Sequence, residues 1–352
     1  MKLRTVKIGS KSVGGGNPCY TIAEAGANHD GVVEKAFRLI DAAVEAKADS
    51  IKFQTYTASK LVTKTAPKYW EDGILNETQF DVFEKLDSLT DDNWKSIFEY
   101  ADKKKITCFS TPFDEKSADL LYSLNVPAFK IASADITHIP LIKHIAEKKL
   151  PIFISTGMAS ETDIQEAIDA IEDKGNRDII IMHCITSYPT NPEDANLAMI
   201  ETLTNKFSNY VIGYSDHTVG TVIPICSTLY GAKCIEKHFT YDTSLTRSRD
   251  HRLSLDTKGF SNMVDGLRLV EISRGKNIRT SFDVEKEAVK YARRSIVSTR
   301  KISKDTLITK EMLDVKRPGT GIPPKLLDKV VGTKAVKDIE EDTPINYEDV
   351  SL

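Results

Sequence analysis

The sequence predicts an α/β protein: a (β/α)8 TIM barrel followed by a small β-rich domain. Three observations support this class. Eight short apolar runs alternate with helix-forming segments. The 352 residues exceed the roughly 250 residues of a typical barrel by enough for one small domain. Beyond residue 292 the pattern changes to short strand-like pieces around proline and glycine. Eight strand and helix units in series favour a closed barrel over an open sheet.

The barrel elements follow a polar leader that contains Gly14, Gly15 and Gly16. Apolar, β-branched runs predict strands at 20–25, 50–54, 106–110, 128–132, 151–155, 179–183, 210–214 and 232–238. Helical spacing of apolar residues predicts helices between them, including 91–104, 161–174, 219–230 and 257–274. The connection at 55–89 is too long for an ordinary loop and contains Tyr69, Trp70 and Phe80. We therefore predict a lid or rim insertion after the second strand.

The domain boundaries follow from these patterns. Residues 1–275 are predicted to form the barrel, 276–292 a polar linker on its surface, and 293–352 the β-rich module. Strand or turn pieces are expected in this module at 295–298, 305–308, 313–316 and 332–336. With about sixty residues, the module is expected to lean on another surface for stability.

Composition excludes several classes of partner. The 48 basic and 51 acidic side chains nearly cancel, so a nucleic acid or membrane partner is not expected, and a small polar ligand fits better. The amino terminus lacks an apolar leader and no run is long enough to span a bilayer, which predicts a cytoplasmic protein. The five cysteines are odd in number and lie mostly in apolar runs. This pattern favours buried free thiols over a disulfide or zinc site.

Two histidines follow the last two predicted strands of the barrel. His217 and His238 end consecutive units of a parallel sheet, so both are expected at its carboxyl edge, where such folds keep their chemistry. Two imidazoles at this edge could share a divalent cation. The alternative is that each histidine only forms hydrogen bonds at the start of a loop.

Other strand ends carry lysines and hydroxyls. Lys52 and Lys130 point into an otherwise apolar barrel mouth, among the hydroxyls of Ser110, Thr111, Ser133, Ser155, Thr156, Thr186, Ser187 and Ser215. Buried lysines are left unpaired unless an anion completes the site, which predicts a phosphate or a phosphorylated acid as ligand. The alternative is a structural ion pair of either lysine with Glu24 or Glu236.

Sequence motifs at these strand ends resemble one enzyme family. They are IAEAGANHDG at 22–31, IKFQ at 51–54, STPF at 110–113, FKIAS at 129–133, STGM at 155–158, YPT at 188–190, GYSDHT at 213–218 and EKHF at 236–239. Together they resemble the N-acetylneuraminate (sialic acid) synthase family, which includes legionaminic and pseudaminic acid synthases. Residues 292–296 and 316–322 are similar to the family's antifreeze-like (SAF) carboxyl-terminal domain.

The resemblance implies a transferase that condenses phosphoenolpyruvate with an N-acetylmannosamine-like aldose, giving a nonulosonic acid and phosphate. It implies phosphoenolpyruvate contacts from Lys52, Thr111, Lys130, Ser133, Ser155 and Ser215, and sugar contacts from Gln54, Tyr188 and Asp250. His217 and His238 would hold Mn²⁺ or Mg²⁺, which would polarise the aldehyde, and Glu24 would orient or deprotonate water. Arg317 would reach the sugar of a neighbouring chain in a domain-swapped homodimer.

The sequence departs from the family pattern at two places. Thr186 stands where members often have asparagine, although its hydroxyl could still donate to a phosphate oxygen. The loop after His238 contains Arg247, Arg249 and Arg252 where many members have Gly-Pro-Asp or a similar segment. These arginines could form a solvated basic loop paired with acids, or bind an acidic or unusually decorated sugar.

Several alternatives remain open from the sequence. Within the family, the chain could be an N,N'-diacetyllegionaminate or pseudaminate synthase. A metal-dependent pyruvate aldolase would share a barrel, a cation and lysines, but would release no phosphate. A sugar-binding protein without turnover is the non-enzymatic alternative, against which the intact set of Lys52, Lys130, His217 and His238 argues.

Overall fold

A computed structural model describes residues 4–70, 77–276, 278 and 282–352. The chain divides into two compact units, Met1–Gly275 and Lys276–Leu352. Among the described residues, no helix is long and apolar enough to cross a membrane.

The first unit begins with a β-hairpin that the sequence analysis did not predict. Strand β1 (Thr5–Ile8) pairs antiparallel with β2 (Lys11–Gly14). The prediction of a polar leader is therefore wrong in this segment. Its polar residues alternate with Val6, Ile8 and Val13, which are buried. A Cβ on Gly14 would lie 2.7 Å from Val211 of the barrel, so glycine permits this close approach.

Eight parallel strands form a closed barrel, which confirms the predicted fold. They are β3 (Tyr20–Gly26), β4 (Ser50–Thr55), β5 (Thr107–Pro112), β6 (Phe129–Ile131), β7 (Ile152–Ser155), β8 (Ile179–Cys184), β9 (Val211–Asp216) and β10 (Cys234–His238). Each strand pairs with its neighbours in chain order, and β10 closes the barrel against β3. Each predicted strand overlaps one of these elements.

Side chains alternate along each strand, so residues two apart share a face. Phe109 and Phe153 stack with ring centroids 5.2 Å apart, two residues before Thr111 and Ser155 on their strands. The aromatic pair thus forms part of an apolar floor beneath the polar side chains at the carboxyl ends of the strands.

Helices connect the strands. They are α1 (Val33–Glu45), α2 (Ala58–Leu61), α3 (Gln79–Glu84), α4 (Asp91–Lys103), α5 (Glu115–Ser123), α6 (Ile139–Ala146), α7 (Glu161–Glu172), α8 (Ala198–Lys206), α9 (Val222–Ser227) and α10 (Thr257–Ser273). Capping boxes at Thr90 and Ser160 fix where α4 and α7 begin. The helix predicted at 219–230 is shorter, because a 3-10 turn at Thr228–Tyr230 follows α9.

The second unit has its own apolar core. It contains helix α11 (Lys286–Ala292), strands β11 (Ser295–Ser298) and β12 (Leu313–Lys316), and helix α12 (Leu327–Val330). The strands pair antiparallel over a buried cluster of Ile296, Ile302, Ile308, Leu313, Ile322, Val330, Ala335, Ile339, Ile345 and Val350. The pieces predicted at 305–308 and 332–336 meet at an isolated bridge between Leu307 and Lys334.

The stretch predicted as a linker contains regular structure. Helix α11 occupies its last seven residues, and residues 277 and 279–281 lie outside the described residues. A polar stretch without strong periodicity thus includes a short helix.

Candidate active site

Two adjoining cavities lie at the carboxyl ends of the barrel strands. The inner one has a volume of about 60 Å³ and the outer one about 490 Å³. The inner cavity is lined by the predicted residues Glu24, Lys52, Gln54, Thr111, Lys130, Ser133, Ser155, Tyr188, Ser215, His217 and His238. Gln54, Ser133, Tyr188 and His238 also line the outer cavity, together with Thr186 and Asp250. The fold therefore brings together every predicted site residue of the first unit.

Both lysines of the inner cavity are already paired with carboxylates. Lys52 Nζ lies 2.7 Å from Glu24 Oε2, and Lys130 Nζ lies 2.8 Å from Glu236 Oε1. The expectation that these lysines lack a partner without a bound anion is therefore wrong. The positive charges of the two lysines thus face the two carboxyl groups of Glu24 and Glu236. This arrangement agrees with the alternative prediction of structural ion pairs. An incoming anion must compete with Glu24 and Glu236 for the lysines.

The two carboxyl groups differ in their protonation. Burial raises the pKa of Glu24 to about 7, opposed by Lys52 and helped by the nearby charge of Glu236. Burial acts on Glu236 in the same direction, but Lys130 and Lys52 outweigh it and lower its pKa to about 2. Glu24 can therefore take up or release a proton near neutral pH, whereas Glu236 remains ionised.

The two histidines lie side by side, with ring centroids 5.3 Å apart. His217 Nδ1 donates to the carbonyl oxygen of Ile185 at 2.7 Å, so Nε2 is the ring nitrogen left for a ligand role. Burial lowers the pKa of His217, but the neighbouring Cys184 outweighs burial and the pKa is raised above its ordinary value, so the ring must release a proton to bind a cation. His238 Nδ1 is buried without a hydrogen-bond partner. Burial lowers the pKa of His238 to about 3, so its ring is neutral at pH 7. Both rings can thus act as ligands.

A divalent cation fits this donor set. Besides the two imidazoles, the carboxylate of Asp250 lies 3.9 Å from His238 Nδ1. Within residues 4–70, 77–276, 278 and 282–352, no group of three or more His, Cys, Asp or Glu side chains is arranged to hold a metal ion, so the protein would supply only the two imidazoles. The unpartnered nitrogen of His238 is a donor that a cation would satisfy, and two protein ligands leave coordination positions for water and substrate.

A buried network fixes the turn that contains His217. Asp216 accepts from Lys237 Nζ at 2.6 Å, from the backbone N–H of Thr218 at 3.0 Å and from the hydroxyl of Tyr214 at 2.9 Å. The backbone N–H of Thr190 donates to the carbonyl of His217 at 2.9 Å. The position of His217 therefore depends on side chains outside the barrel interior.

Some of the predicted hydroxyl groups already form hydrogen bonds within the protein, and others do not. Ser155 Oγ and Thr186 Oγ1 are buried without a hydrogen-bond partner. Thr111 accepts from Lys52 at 3.0 Å, Ser215 donates to Glu236 at 3.1 Å, and Ser133 accepts from the backbone N–H of Gly157 at 3.1 Å. Ser155 and Thr186 can therefore bind a ligand without breaking an existing hydrogen bond.

The predicted rim insertion lines the outer cavity. Helices α2 and α3 lie in this segment, which supplies Leu61, Val62, Tyr69, Gln79, Val82, Phe83 and Leu86 to the cavity wall. Tyr56 packs edge-on against Phe83 with centroids 5.5 Å apart, and Trp70 packs against Phe83 at 6.2 Å. Part of the predicted insertion, residues 71–76, lies outside the described residues.

Asp30 holds the loop after His238, which contains Arg247, Arg249 and Arg252, in place. One oxygen of Asp30 accepts from the backbone N–H of Ser248 at 3.0 Å and faces His251 Nε2 at 3.3 Å, while the other accepts from Lys35 at 2.6 Å. Arg247 donates to the carbonyl of Lys85 at 2.8 Å. This anchoring holds Asp250 in the wall of the outer cavity.

The remaining predicted site residue, Arg317, belongs to the second unit and is exposed. Its predicted role at the sugar site of a neighbouring chain stays a prediction.

Several ionisable residues that line the cavities were not among the predicted site residues. Glu236 and Cys184 line the inner cavity and Asp135 lines the outer one. Glu236 was named above only as a possible ion-pair partner of the lysines; it is two residues before His238 on β10, so strand alternation places it at the same site. Cys184 ends β8 and could have been found in the same way. Asp135 lies in a 3-10 turn after β6, where the sequence gives no such signal.

A larger cavity of about 720 Å³ lies elsewhere on the first unit. It is lined by residues such as Lys95, Thr107 and Asn125, near the amino-terminal end of β5. None of the predicted site residues lines it. The two cavities at the carboxyl ends of the strands are therefore the candidate active site.

Comparison with known proteins gives two family matches. A model of the NeuB family matches residues 39–279, and a model of the SAF domain matches residues 293–351. The chain is 37% identical over 349 residues to N,N'-diacetyllegionaminic acid synthase of Legionella pneumophila, covering 97% of each chain. It is also 37% identical over 328 residues to pseudaminic acid synthase of Campylobacter jejuni, covering 91% of this chain and 93% of that one.

A solved structure of a related enzyme also matches this chain. The N-acetylneuraminic acid (sialic acid) synthetase of Leptospira borgpetersenii is 33% identical to this chain, with a TM-score of 0.72. The match covers 82% of this chain and 95% of that one.

Proposed function

Because the chain belongs to the NeuB family, we propose that it condenses phosphoenolpyruvate with an N-acetylmannosamine-like aldose, giving a sialic acid or related nonulosonic acid and phosphate. The observation that carries this proposal is the pairing of the two cavities. The inner one has the lysines and hydroxyls that an anionic substrate needs, and the larger outer one adjoins it through Gln54, Tyr188 and His238. The names of the relatives support synthesis of a nonulosonic acid.

Phosphoenolpyruvate would bind in the inner cavity. Lys52 and Lys130 would neutralise its phosphate and carboxylate, and the unpartnered hydroxyl of Ser155 would donate to one of its oxygens. Thr111, Ser133, Thr186 and Ser215 are the further hydroxyl contacts that we assign to it. Both lysines are already paired with carboxylates. When phosphoenolpyruvate binds, its oxygens therefore replace these carboxylates as partners of the lysines, and the substrate does not enter a site of unpaired positive charge.

The sugar would bind in the outer cavity against Gln54, Tyr188 and Asp250. His217 and His238 would hold Mn²⁺ or Mg²⁺. When bound, this cation would act as a Lewis acid toward the open-chain aldehyde. Tyr188, whose ring centroid is 4.1 Å from that of His217, covers one side of the imidazole and helps to exclude water there.

The chemistry forms a bond between C3 of phosphoenolpyruvate and the aldehyde carbon, and the aldehyde oxygen gains a proton. Water then adds to C2, phosphate leaves with cleavage of the C2–O bond, and C2 becomes the ketone carbon. The two protons of the water balance those taken up by the aldehyde oxygen and by the released phosphate. Glu24 is our candidate to take the proton from this water. Its pKa near 7 suits proton transfer at neutral pH, and Gln54 Nε2, 3.1 Å from Glu24 Oε1, holds the carboxyl group in place.

We further propose that the enzyme acts in the cytoplasm as a domain-swapped homodimer, in which Arg317 of one chain reaches the sugar at the other chain's barrel. In this assembly Arg317 would add a contact to the sugar site that the first unit of the other chain lines. Equal identity to a legionaminic and a pseudaminic acid synthase does not favour one acceptor sugar over the other.

A coupled phosphate-release assay tests the proposed function. Phosphoenolpyruvate, Mn²⁺ and an N-acetylated aldose should give phosphate and a nonulosonic acid in equal amounts. If the sugar is consumed only when pyruvate replaces phosphoenolpyruvate, the protein is an aldolase instead. Sugar binding without any turnover would identify a sugar-binding protein.

A further inference from the structure

A buried ion pair joins the two strand ends that carry the predicted metal ligands. Asp216 is the last residue of β9 and is followed by His217, and Lys237 immediately precedes His238 on β10. Lys237 and Asp216 are direct partners in the register of these two parallel strands. Lys237 Nζ lies 2.6 Å from Asp216 Oδ2, and both side chains are completely buried. The pair therefore connects the two places where the histidines leave the sheet.

This ion pair lies behind the active site. Side chains alternate along a strand, and both Glu236 and His238 line the inner cavity. Lys237 therefore points the other way, into the layer between the barrel and its helices. Neither Lys237 nor Asp216 lines the inner or the outer cavity. An effect of this pair on the chemistry must therefore act through the histidines.

The hydrogen bonds of the pair enclose the backbone around His217. Asp216 Oδ2 accepts from Lys237 and from the hydroxyl of Thr218 at 3.0 Å. Asp216 Oδ1 accepts from the backbone N–H of Thr218 at 3.0 Å and from the hydroxyl of Tyr214 at 2.9 Å. Lys237 also donates to the carbonyl oxygen of Thr218. One side chain of β10 thus holds the residues immediately before and after His217.

The stability of the fold does not require an ion pair at this position. Desolvation offsets much of the attraction between two buried charges, and well-packed apolar side chains in their place often give equal or greater stability. The lysine that ends on Asp216 and Thr218 supplies direction instead, because hydrogen bonds tolerate little change in distance and angle. The rings of His217 and His238 have centroids 5.3 Å apart, and with two protein ligands this spacing sets the protein's share of the coordination geometry.

We propose that Lys237 and Asp216 are positioning residues for the metal site. Their ion pair sets the spacing of His217 and His238, and through this spacing it sets the affinity for a divalent cation. The inference rests on the proposed function, whose metal site it specifies. Residues that orient metal ligands without touching the metal typically change the affinity about tenfold to a hundredfold when they are replaced.

The test removes both charges together. Asp216→Asn combined with Lys237→Met leaves no buried charge unpaired, and the asparagine oxygen can still accept from Tyr214 and from Thr218. Metal-free, full-length protein is titrated with Mn²⁺ by calorimetry. The double variant should bind Mn²⁺ about tenfold to a hundredfold more weakly than wild type. Wild-type affinity in the folded double variant would overturn the proposal.

The absorption spectrum of bound Co²⁺ separates positioning from a general loss of stability. At saturating Co²⁺ the visible bands report the coordination geometry, so they should shift in the double variant relative to wild type. A surface control removes an ion pair of the same type, by combining Glu147→Gln with Lys174→Met. The control should keep both the Mn²⁺ affinity and the Co²⁺ spectrum of wild type. An unchanged spectrum in the buried double variant would show that the imidazoles keep their arrangement, and the proposal would be wrong.

A milder substitution decides the matter if the double variant does not fold. Tyr214→Phe removes one donor to Asp216 and keeps the aromatic ring, which stacks on His183 with centroids 5.5 Å apart. This variant should bind Mn²⁺ about threefold more weakly than wild type, because one hydrogen bond of the network is lost. An unchanged affinity in folded Tyr214→Phe would then overturn the proposal.

A phosphate-release assay separates this inference from the proposed function. If Mn²⁺ affinity depends on the pair but wild type releases no phosphate from phosphoenolpyruvate, the synthase activity is refuted and the positioning role stands. If wild type releases phosphate and the double variant keeps its Mn²⁺ affinity, the positioning role is refuted and the synthase activity stands.

Discussion

Lys130 reaches across the barrel interior to Glu236, with its Nζ 2.8 Å from one carboxylate oxygen and 2.9 Å from the other. Both side chains are almost completely buried. The inner cavity therefore holds a balanced ion pair before any substrate arrives. When substrate binds, the buried cation Lys130 exchanges a carboxylate partner for an oxygen of the substrate.

Glu236→Gln should destabilise the protein and make its stability depend on anions. Removing the carboxylate leaves Lys130 buried without its charge partner, which costs about 3–5 kcal/mol of unfolding free energy. Phosphoenolpyruvate should then raise the midpoint of thermal unfolding more in the variant than in wild type, because it replaces the missing charge. Denaturant titrations and thermal melts measure both effects.

Glu147→Gln is the control for that experiment, since Glu147 pairs with Lys174 on the surface. It should change the unfolding free energy by less than about 1 kcal/mol. An equal loss of unfolding free energy in the two variants would show that the buried pair of Lys130 and Glu236 stabilises the fold no more than a surface pair does.

Removal of divalent cations should abolish phosphate release, and Mn²⁺ should restore it. His217→Ala and His238→Ala should each reproduce the loss and lower the bound metal measured by elemental analysis, while the circular dichroism spectrum stays unchanged. His144→Ala, on α6 and outside both cavities, should keep full activity. Full activity in excess chelator would show that the reaction does not need a bound metal ion.

Lys130→Met should raise the KM for phosphoenolpyruvate far more than the KM for the sugar. The loss of a charge-assisted contact of about 1.5–3 kcal/mol corresponds to a change of roughly tenfold to a hundredfold. Lys174→Met, a surface lysine, serves as the control. Should only the sugar KM change, Lys130 would belong to the other half of the site.

Arg317→Ala and His217→Ala chains should each be inactive alone and should recover activity when mixed. In a domain-swapped dimer, some mixed pairs combine an intact barrel with an intact second unit from the partner. A mixture of His217→Ala with His238→Ala chains is the control, since no pairing restores an intact barrel. Confirmed heterodimers without recovery would show that the second unit does not complete a neighbour's site.

Much of the fold could be predicted from the sequence, because each barrel strand is a short apolar run and each long helix has regular spacing. The hairpin β1–β2 could not, since its buried residues Val6, Ile8 and Val13 are few and lie among polar ones. Alternation along the strands also brought the predicted polar residues to two cavities.

The electrostatics of the site were harder to predict. The pairing of Lys52 with Glu24 and of Lys130 with Glu236 depends on which side chains meet across the barrel, which strand patterns do not define. The orientation of Arg249 depends on Trp70, a residue far away in the sequence. Contacts of this kind come from the closed fold and not from local spacing.

The most direct test uses phosphoenolpyruvate with oxygen-18 in its C–O–P bridge, together with an N-acylated aldose and Mn²⁺. The label should appear in the released phosphate, because the C2–O bond breaks. Mass spectrometry should show one nonulosonic acid formed per phosphate, with the mass of phosphoenolpyruvate plus sugar plus water minus phosphoric acid. Unlabelled phosphate with free pyruvate, or an adduct formed without phosphate release, would contradict the condensation.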